Sequence, residues 1–198
     1  MAAPRIGLLG GAFDPPHRAH VALAESAVQA LHLDHLLVLP TGQSWHRSRA
    51  GSAGDHRLAM ARLAFADVAR TQVLDLELKR QGPSYTIDTV RDLQAQRPGH
   101  DWYLIMGEDQ WKTLPAWHQA AELVALVTIA VAVRDASVPL WTDAAASGDA
   151  LTTPVRLPMP RLDVSATLVR SRVAQGQAID ALVPEGVCRY IHEHHLYA

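Results

Sequence analysis

Residues 5–20 read Arg-Ile-Gly-Leu-Leu-Gly-Gly-Ala-Phe-Asp-Pro-Pro-His-Arg-Ala-His. The apolar run Arg5–Leu9 is typical of a buried strand. The pair Gly10-Gly11 follows it, and glycines at a strand end let the backbone turn tightly and let a ligand approach closely. The prolines after Asp14 lead into a helix, because proline is tolerated in a first helical turn. The stretch therefore predicts a strand, a tight turn and a helix, the opening unit of an α/β sheet.

Along the rest of the chain, short apolar runs alternate with longer amphipathic stretches rich in alanine. This alternation is typical of βαβ units. The predicted strands are Arg5–Leu9, His35–Leu39, Thr71–Asp75, Trp102–Met106 and Ala125–Val133. The predicted helices are Arg18–Leu31, Asp55–Ala66, Thr86–Gln96, Trp117–Leu123, Ser165–Gln175 and Pro184–His194, with Asp55 and Ser165 expected as N-caps.

These strands read as continuous apolar runs, which favours a parallel sheet covered by helices on both faces. The predicted fold class is therefore α/β: a Rossmann-like doubly wound parallel sheet. A single domain over residues 1–198 is expected, with a small C-terminal helical part at about residues 165–198. Ligands of such sheets bind outside the carboxyl ends of the strands, at a topological switch point.

Composition excludes several classes of function. The chain has 198 residues, of which 48% are hydrophobic, and 18 basic against 20 acidic residues give a net charge of −2. This balance argues against a protein that coats nucleic acid. The one cysteine, Cys188, excludes an internal disulfide framework and is interpreted as a packing residue. The longest apolar run, Leu123 to Val133, is shorter than the roughly 20 residues that span a bilayer. We therefore expect a cytoplasmic protein with no membrane or nucleic-acid partner; the sequence does not specify an oligomeric state.

His17 and His20 are three residues apart at the start of the first helix, so they share one face. A helix start also offers unpaired N–H groups and a partial positive charge, which suits phosphate. Two surface histidines without a ligand are the competing interpretation. A metal pair is disfavoured because no third ligand is evident nearby, and His192–His195 is interpreted as a solvated helix end, so no metal site is predicted. The segment is neither a G-x-G-x-x-G fingerprint nor a P-loop.

Gly10 to His20 resembles the G-G-T-F-D-P-x-H-x-G-H segment of the bacterial nicotinate-nucleotide adenylyltransferases, in the nucleotidyltransferase superfamily marked by H-x-G-H. Four more segments are similar to those of this family in the same order and spacing. They are residues 39–47 (LPTGQSWHR), 77–89 (ELKRQGPSYTIDT), 105–109 (IMGED) with the downstream 114–117 (LPAW), and 164–170 (VSATLVR). Together the five are highly specific for the family.

The resemblance implies transfer of AMP from ATP to nicotinate mononucleotide, forming nicotinate adenine dinucleotide and pyrophosphate in NAD biosynthesis, with Mg²⁺ accompanying ATP. The catalytic residues it implies are His17, His20 and Arg170. The ATP-binding residues it implies are Gly10, Gly11, Ala12, Phe13, His17, His20, Gly107, Asp109, Ser165, Thr167 and Arg170. A simple helix-cap role competes for Asp109, and Ser165 is expected to be an N-cap in addition.

For the mononucleotide, the resemblance implies that His46 and Arg47 bind the phosphate. Backbone N–H groups of Tyr85 and Thr86 would face the nicotinate carboxylate, and Trp117 would stack on the pyridine ring. Core packing is the competing interpretation of Trp117.

The sequence departs from the family pattern in three places: Ala12 stands for Thr or Ser, Ala19 for Gly, and Ser44-Trp45 for a proline pair. Two alternative functions stay open. One is an enzyme of the same superfamily that acts on nicotinamide mononucleotide. The other is a non-catalytic nucleotide-binding regulator on the same scaffold, against which His17, His20 and Arg170 argue.

Overall fold

One sheet of six parallel strands organises the protein, in the order β3-β2-β1-β4-β5-β6. The computed structural model describes residues 2–42, 51–133 and 153–198. The strands are β1 (Arg5–Gly11), β2 (His35–Pro40), β3 (Thr71–Val73), β4 (Asp101–Gly107), β5 (Thr128–Val133) and β6 (Val155–Pro158). The helices are α1 (Arg18–Ala30), α2 (Gly54–Ala64), α3 (Leu76–Lys79), α4 (Thr86–Gln96), α5 (Glu108–Thr113), α6 (Ala120–Leu126), α7 (Ala166–Ala174) and α8 (Glu185–Glu193).

The order of the strands confirms the predicted fold class, a Rossmann-like α/β sheet. In β1, Leu9 pairs with Val38 of β2 on one side and with Ile105 of β4 on the other. The winding of the chain therefore reverses between β1 and β4, which makes this junction the topological switch point where ligands of open α/β sheets bind.

Helices cover both faces of the sheet, and each face has its own apolar core. One core packs α1, α2 and α8 against β1 and β2, and it includes Met60 of α2 and Ile191 of α8, both fully buried. The other packs α4 and α6 against the opposite face. Cys188 is buried beside Val187 in the first core, which confirms its interpretation as a packing residue.

Several predicted boundaries were wrong. The strand predicted at Ala125–Val133 begins at Thr128, because Ala125 and Leu126 end α6. A continuous apolar run does not distinguish a buried helix end from a buried strand. The helix predicted from Trp117 begins at Ala120 instead, after Gln119 in a left-handed conformation (φ 52°).

Short elements escaped prediction. The helices α3 and α5 have 4 and 6 residues, too few for a periodic pattern to develop. The strand β6 ends on Pro158 at the sheet edge, where proline is tolerated. The predicted strand Thr71–Asp75 is shorter, ending at Val73.

Asp55 is not an N-cap: Ala53 occupies that position and Asp55 lies in the first turn. Ser165 is an N-cap as predicted, since its hydroxyl accepts from Leu168 N–H at 3.1 Å.

In the described part of the chain, no helix is both long and apolar enough to cross a bilayer.

Candidate active site

A cavity of about 610 Å³ lies at the carboxyl ends of β1, β2 and β4. Its size suits a small organic ligand. Six of the residues predicted for substrate contact line it: Gly10, Gly11, Ala12, Tyr85, Thr86 and Trp117. The remaining predicted residues that the structure describes lie outside its lining. Phe13, His17, His20 and Arg170 lie near the start of α1, and Gly107 and Asp109 lie where β4 passes into α5. His46 and Arg47 lie outside the described residues.

His17 and His20 stand together at the start of α1, as their spacing predicted. Their rings stack with centroids 3.7 Å apart. The backbone N–H of His17 donates to Nδ1 of His20 at 3.1 Å. Because Nδ1 of His20 accepts, the neutral ring carries its proton on Nε2, which is thereby kept as a donor.

Both imidazoles are neutral at pH 7. Burial lowers the pKa of His17 to about 4. Burial, with a smaller contribution from the neighbouring His17, lowers the pKa of His20 to about 3. Within the described residues, Nδ1 of His17 is buried without a hydrogen-bond partner. A buried polar atom in this state is expected at a site that a ligand or water completes.

The side chain of Phe13 packs against the ring of His20. Its side chain is fully buried, and its ring meets those of His20 and Phe65 edge-on at 5.1 and 5.5 Å. Its φ of 48° is in the left-handed region, which an aromatic residue adopts at a cost of order 1–3 kcal/mol. The ring therefore belongs to the core, which leaves the backbone as the part of Phe13 available for the predicted ATP contact.

Arg170 joins α7 to the segment between β1 and α1. Its Nη1 donates to the backbone oxygen of Asp14 at 2.6 Å, and its Nη2 to the hydroxyl of Thr167 at 3.2 Å. The predicted group Ser165, Thr167 and Arg170 thus meets the loop that leads to His17. Sequence separation hides this arrangement, since Asp14 and Arg170 are 156 residues apart.

Gly107 ends β4 beside the end of β1 and is the N-cap of α5. Asp109 is exposed in the first turn of α5, so its interpretation as the helix cap is wrong. A methyl group added at Gly107 would meet nothing within 4 Å, and the same is true of Gly10. The ends of the two strands at the switch point therefore present open space.

Gly10→Ala should test whether a ligand fills that space. The added methyl meets no protein atom within 4 Å, so the melting temperature should move by no more than about 2 °C. A substrate that lies against Gly10 loses this room, and we expect kcat/KM to fall about ten-fold or more. Steady-state kinetics and a thermal melt measure both effects.

Gly7→Ala is the matched control in the same strand. Its methyl would lie 2.5 Å from Cδ1 of Leu33 and 2.8 Å from Cδ1 of Ile105, inside the core. Overpacking of this kind costs about 1–3 kcal/mol of folding free energy. A Gly10→Ala variant with wild-type kinetics would show that no substrate approaches this strand end.

Tyr85 and Thr86 start α4, whose first N–H groups have no acceptor inside the helix. A buried network positions this start. Glu77 is buried and accepts from the hydroxyl of Thr89 of α4 at 3.0 Å, and the hydroxyl of Ser84 donates to the Glu77 backbone oxygen at 3.3 Å. Burial raises the pKa of Glu77, although its hydrogen bonds and nearby arginines oppose the shift. The start of α4 therefore borders the cavity from a supported position, and a helix start suits an anionic group.

Trp117 follows the 3₁₀ turn Leu114–Ala116 and is half-buried. Its Nε1–H donates to the hydroxyl of Thr113 at 3.3 Å. Part of the indole packs against the core that includes Leu114, and part lines the cavity. Both interpretations of Trp117 thus have a structural basis.

Trp117→Ala should separate them. If the indole stacks on a pyridine ring, the KM of the mononucleotide should rise about ten-fold while that of ATP stays within about two-fold. Trp117→Phe, which keeps a flat face, should recover much of the loss. If packing dominates, truncation lowers stability by roughly 3–5 kcal/mol and affects both substrates alike. Melting temperatures and both Michaelis constants on the two variants decide between the interpretations.

Arg57 is a site residue that the sequence did not reveal. Its guanidinium donates to three backbone oxygens: Ala12 at 2.9 Å, Thr41 at 2.7 Å and Ser52 at 3.1 Å. It therefore ties together the segments that follow β1 and β2 and the one that precedes α2, beside the cavity. Its place in the first turns of a predicted amphipathic helix carried no signal for this role.

Among the described residues, no group of three or more His, Cys, Asp or Glu side chains is arranged to hold a metal ion. A metal that arrives on the phosphates of a nucleotide needs few protein ligands, since Mg²⁺ keeps several waters and binds substrate oxygens. The side chains of His17, His20 and Arg170 offer nitrogen atoms rather than the oxygen ligands that Mg²⁺ prefers, so a Mg²⁺ here would be held by substrate oxygens and water.

A parallel sheet in this order, with a ligand-sized cavity at its switch point and a helix start beside it, is typical of α/β proteins that bind nucleotides.

Comparison with known proteins specifies the family. The profile of the cytidylyltransferase-like family matches residues 8–172. A protein of Albidiferax ferrireducens named "Probable nicotinate-nucleotide adenylyltransferase" is 49% identical over 98% of both chains. One of the same name from Methylibium petroleiphilum is 42% identical over 98% of this chain and 92% of the relative. The chain belongs to the cytidylyltransferase-like family and, within it, to the nicotinate-nucleotide adenylyltransferases.

Solved structures agree on the fold. The nicotinic acid mononucleotide adenylyltransferase of Plasmodium falciparum in complex with NaAD superposes with a TM-score of 0.79 at 18% identity, over 98% of this chain and 97% of the other. The family profile and the named relatives confirm the resemblance inferred from the five sequence segments, and the protein is a nucleotidyltransferase.

Proposed function

We propose that this protein transfers AMP from ATP to nicotinate mononucleotide, releasing pyrophosphate. One observation carries the proposal: two features lie side by side at the β1–β4 switch point. One is the cavity, which the start of α4 borders, and the other is the histidine pair at the start of α1. Two neighbouring subsites are what a reaction between two anionic nucleotides requires.

The cavity is assigned to the mononucleotide. The N–H groups at the start of α4 suit the nicotinate carboxylate, and Trp117 offers a flat face for the pyridine ring. His46 and Arg47 are proposed to hold the phosphate. The names of the relatives favour the acid as substrate over nicotinamide mononucleotide.

The histidine group is assigned to ATP. Gly10 and Gly107 leave room at the strand ends, whereas a side chain at Gly11 would meet the ring of Phe13 at 3.0 Å. The donors proposed for ATP come from His17, His20, Ser165, Thr167 and Arg170. Asp109 is exposed beyond Gly107, at the side proposed for the adenosine part. Mg²⁺ bound to the ATP phosphates would supply charge neutralisation there.

The chemistry needs no general base. The attacking group is a phosphate monoester with a second pKa of about 6, so it is already ionised at neutral pH. What the protein must supply is alignment of the two anions and stabilisation of the charge that develops at the α-phosphate. A neutral imidazole whose Nε2–H is kept as a donor suits that task, and Arg170 would meet the leaving pyrophosphate.

The test is formation of nicotinate adenine dinucleotide and pyrophosphate by purified protein with ATP, Mg²⁺ and nicotinate mononucleotide. We expect both products in equal amounts. A protein that binds ATP and the mononucleotide but forms neither product would instead be the regulator considered above. A cytoplasmic location and the absence of a nucleic-acid partner remain predictions from composition.

A further inference from the structure

Tyr197 and Asp14 meet in the fold although 183 residues separate them. The Tyr197 hydroxyl donates to Oδ1 of Asp14 at 2.6 Å. Asp14 is only 6% exposed and lines the cavity. Its Oδ2 accepts from the backbone N–H of Ser52 at 3.2 Å, and its backbone oxygen accepts from Arg170. Asp14 therefore connects the cavity side of the site with the arginine assigned to the leaving group.

The charges near Asp14 explain what the contact with Tyr197 does. A carboxylate beside two phosphate-bearing substrates repels them unless donors hold its oxygens. Burial would raise the pKa of Asp14, but the hydrogen bonds from Tyr197 and Ser52 and the charge of Arg170 outweigh it, so the pKa lies below its usual value. The carboxylate thus stays ionised and hydrogen-bonded. Burial and Asp14 raise the pKa of Tyr197, so its hydroxyl keeps the proton that it donates.

The backbone conformation of Tyr197 is locally unfavourable, which indicates that the surrounding structure holds the residue in this position. Its φ of 65° is in the left-handed region, as is that of His195 at 48°. The turn that follows α8 is held by a bond from Leu196 N–H to the Ile191 oxygen at 3.0 Å. A bulky residue in this conformation is strained, and such strain persists where the surrounding structure requires it.

We propose that Tyr197 is a positioning residue for AMP transfer: its hydroxyl holds Asp14, and through the Asp14 backbone it holds Arg170 in place. The inference rests on the proposed function. It extends the active site to the segment after α8, which no sequence motif pointed to.

Tyr197→Phe removes the hydroxyl and keeps the ring. Since Arg170 is assigned to the leaving pyrophosphate, its misplacement should lower kcat about ten-fold or more, the effect of losing one hydrogen bond to a charged group. Asp14 lines the cavity assigned to the mononucleotide, but the groups assigned to the nicotinate carboxylate and ring, Thr86 and Trp117, are on other segments. The KM of the mononucleotide should therefore change less than kcat does.

Tyr190→Phe is the matched control. Tyr190 lies in α8, on the same C-terminal segment as Tyr197. Its hydroxyl is hydrogen-bonded to Nδ1 of His56 at 3.0 Å rather than to Asp14. It should lose a comparable amount of thermal stability and keep wild-type kcat. A second comparison places Tyr197→Phe in an Asp14→Ala background. If Tyr197 acts through Asp14, the hydroxyl deletion has no further effect on kcat there.

The outcomes separate the two proposals. A fall in kcat for Tyr197→Phe alone, abolished in the Asp14→Ala background, supports the inference. Equal kinetics for the two phenylalanine variants would overturn it while leaving AMP transfer intact, as would a kcat loss of the same size in both Asp14 backgrounds. If Asp14→Ala does not fold, the comparison of Tyr197→Phe with Tyr190→Phe decides. A wild-type protein that makes no product would remove the proposed function and this inference together.

Discussion

His20→Asn should keep the fold and lose about 10²-fold or more in kcat. The oxygen of asparagine can take the place of Nδ1 and accept the N–H of His17, so the contact at the helix start is retained. The Nε2–H that points away from that contact is lost. Removing one preorganised donor from a developing oxyanion costs about 10²–10³-fold in other enzymes. Steady-state kinetics together with circular dichroism and a thermal melt check the prediction.

Two controls keep this test specific. His20→Ala also removes the ring that packs on Phe13, so it should lose stability as well as activity. The pH dependence of stability gives a second readout. The pKa of His20 is about 3 when folded and near 6.5 when unfolded, so between these values the unfolded chain binds more protons. Stability therefore falls as the pH drops below 6.5, by up to about 1.4 kcal/mol per pH unit for each such imidazole.

His20→Asn should show a shallower fall over this window, because one of the two imidazoles with a lowered pKa is gone. A variant with wild-type turnover would remove His20 from the chemistry. A pH dependence as steep as that of the wild type would contradict the burial of the ring in solution.

Nicotinate mononucleotide should be preferred over nicotinamide mononucleotide by about 10²-fold or more in kcat/KM. Tyr85 and Thr86, at the start of α4, line the cavity, and hydrogen bonds from backbone N–H groups to a carboxylate are about twice as strong as those to a neutral amide. The helix dipole adds to the preference for an anion. Loss of such bonds costs a few kcal/mol. Parallel measurements of pyrophosphate release with the two mononucleotides give the ratio.

Thr86→Pro tests the origin of this preference. Position 86 is the first residue of α4, where proline is tolerated, and Tyr85 has φ −103° and ψ 138°, which a residue before proline adopts readily. The substitution removes one N–H group and should lower the preference for the acid about ten-fold. Thr86→Ala keeps the N–H group and should leave the preference near the wild-type value. Equal specificity constants of the wild type for both mononucleotides would refute the assignment of the α4 start.

The elements that the sequence predicted well are those with a local signal. The helix Thr86–Gln96 matches its prediction, and the Ser165 cap and the shared face of His17 and His20 are as expected. Each follows from residues a few positions apart, whose geometry in a helix is the same in every protein. The errors at Ala125–Val133 and Trp117–Leu123 occur where apolar content is high and the period is ambiguous.

By itself, the sequence determined the α/β class, the strand–turn–helix that carries His17 and His20, and the family. Tertiary structure alone decided what holds that site together: the three carbonyls that Arg57 binds, the bond from Arg170 to the Asp14 backbone, and the bond from Tyr197 to the Asp14 carboxylate. The physical reason is the range of the interactions. Hydrophobic periodicity and capping act within a few residues. These hydrogen bonds join residues that are from 5 to 183 positions apart, and most of the pairs are far apart in the sequence. They form only when the sheet brings those segments to one edge.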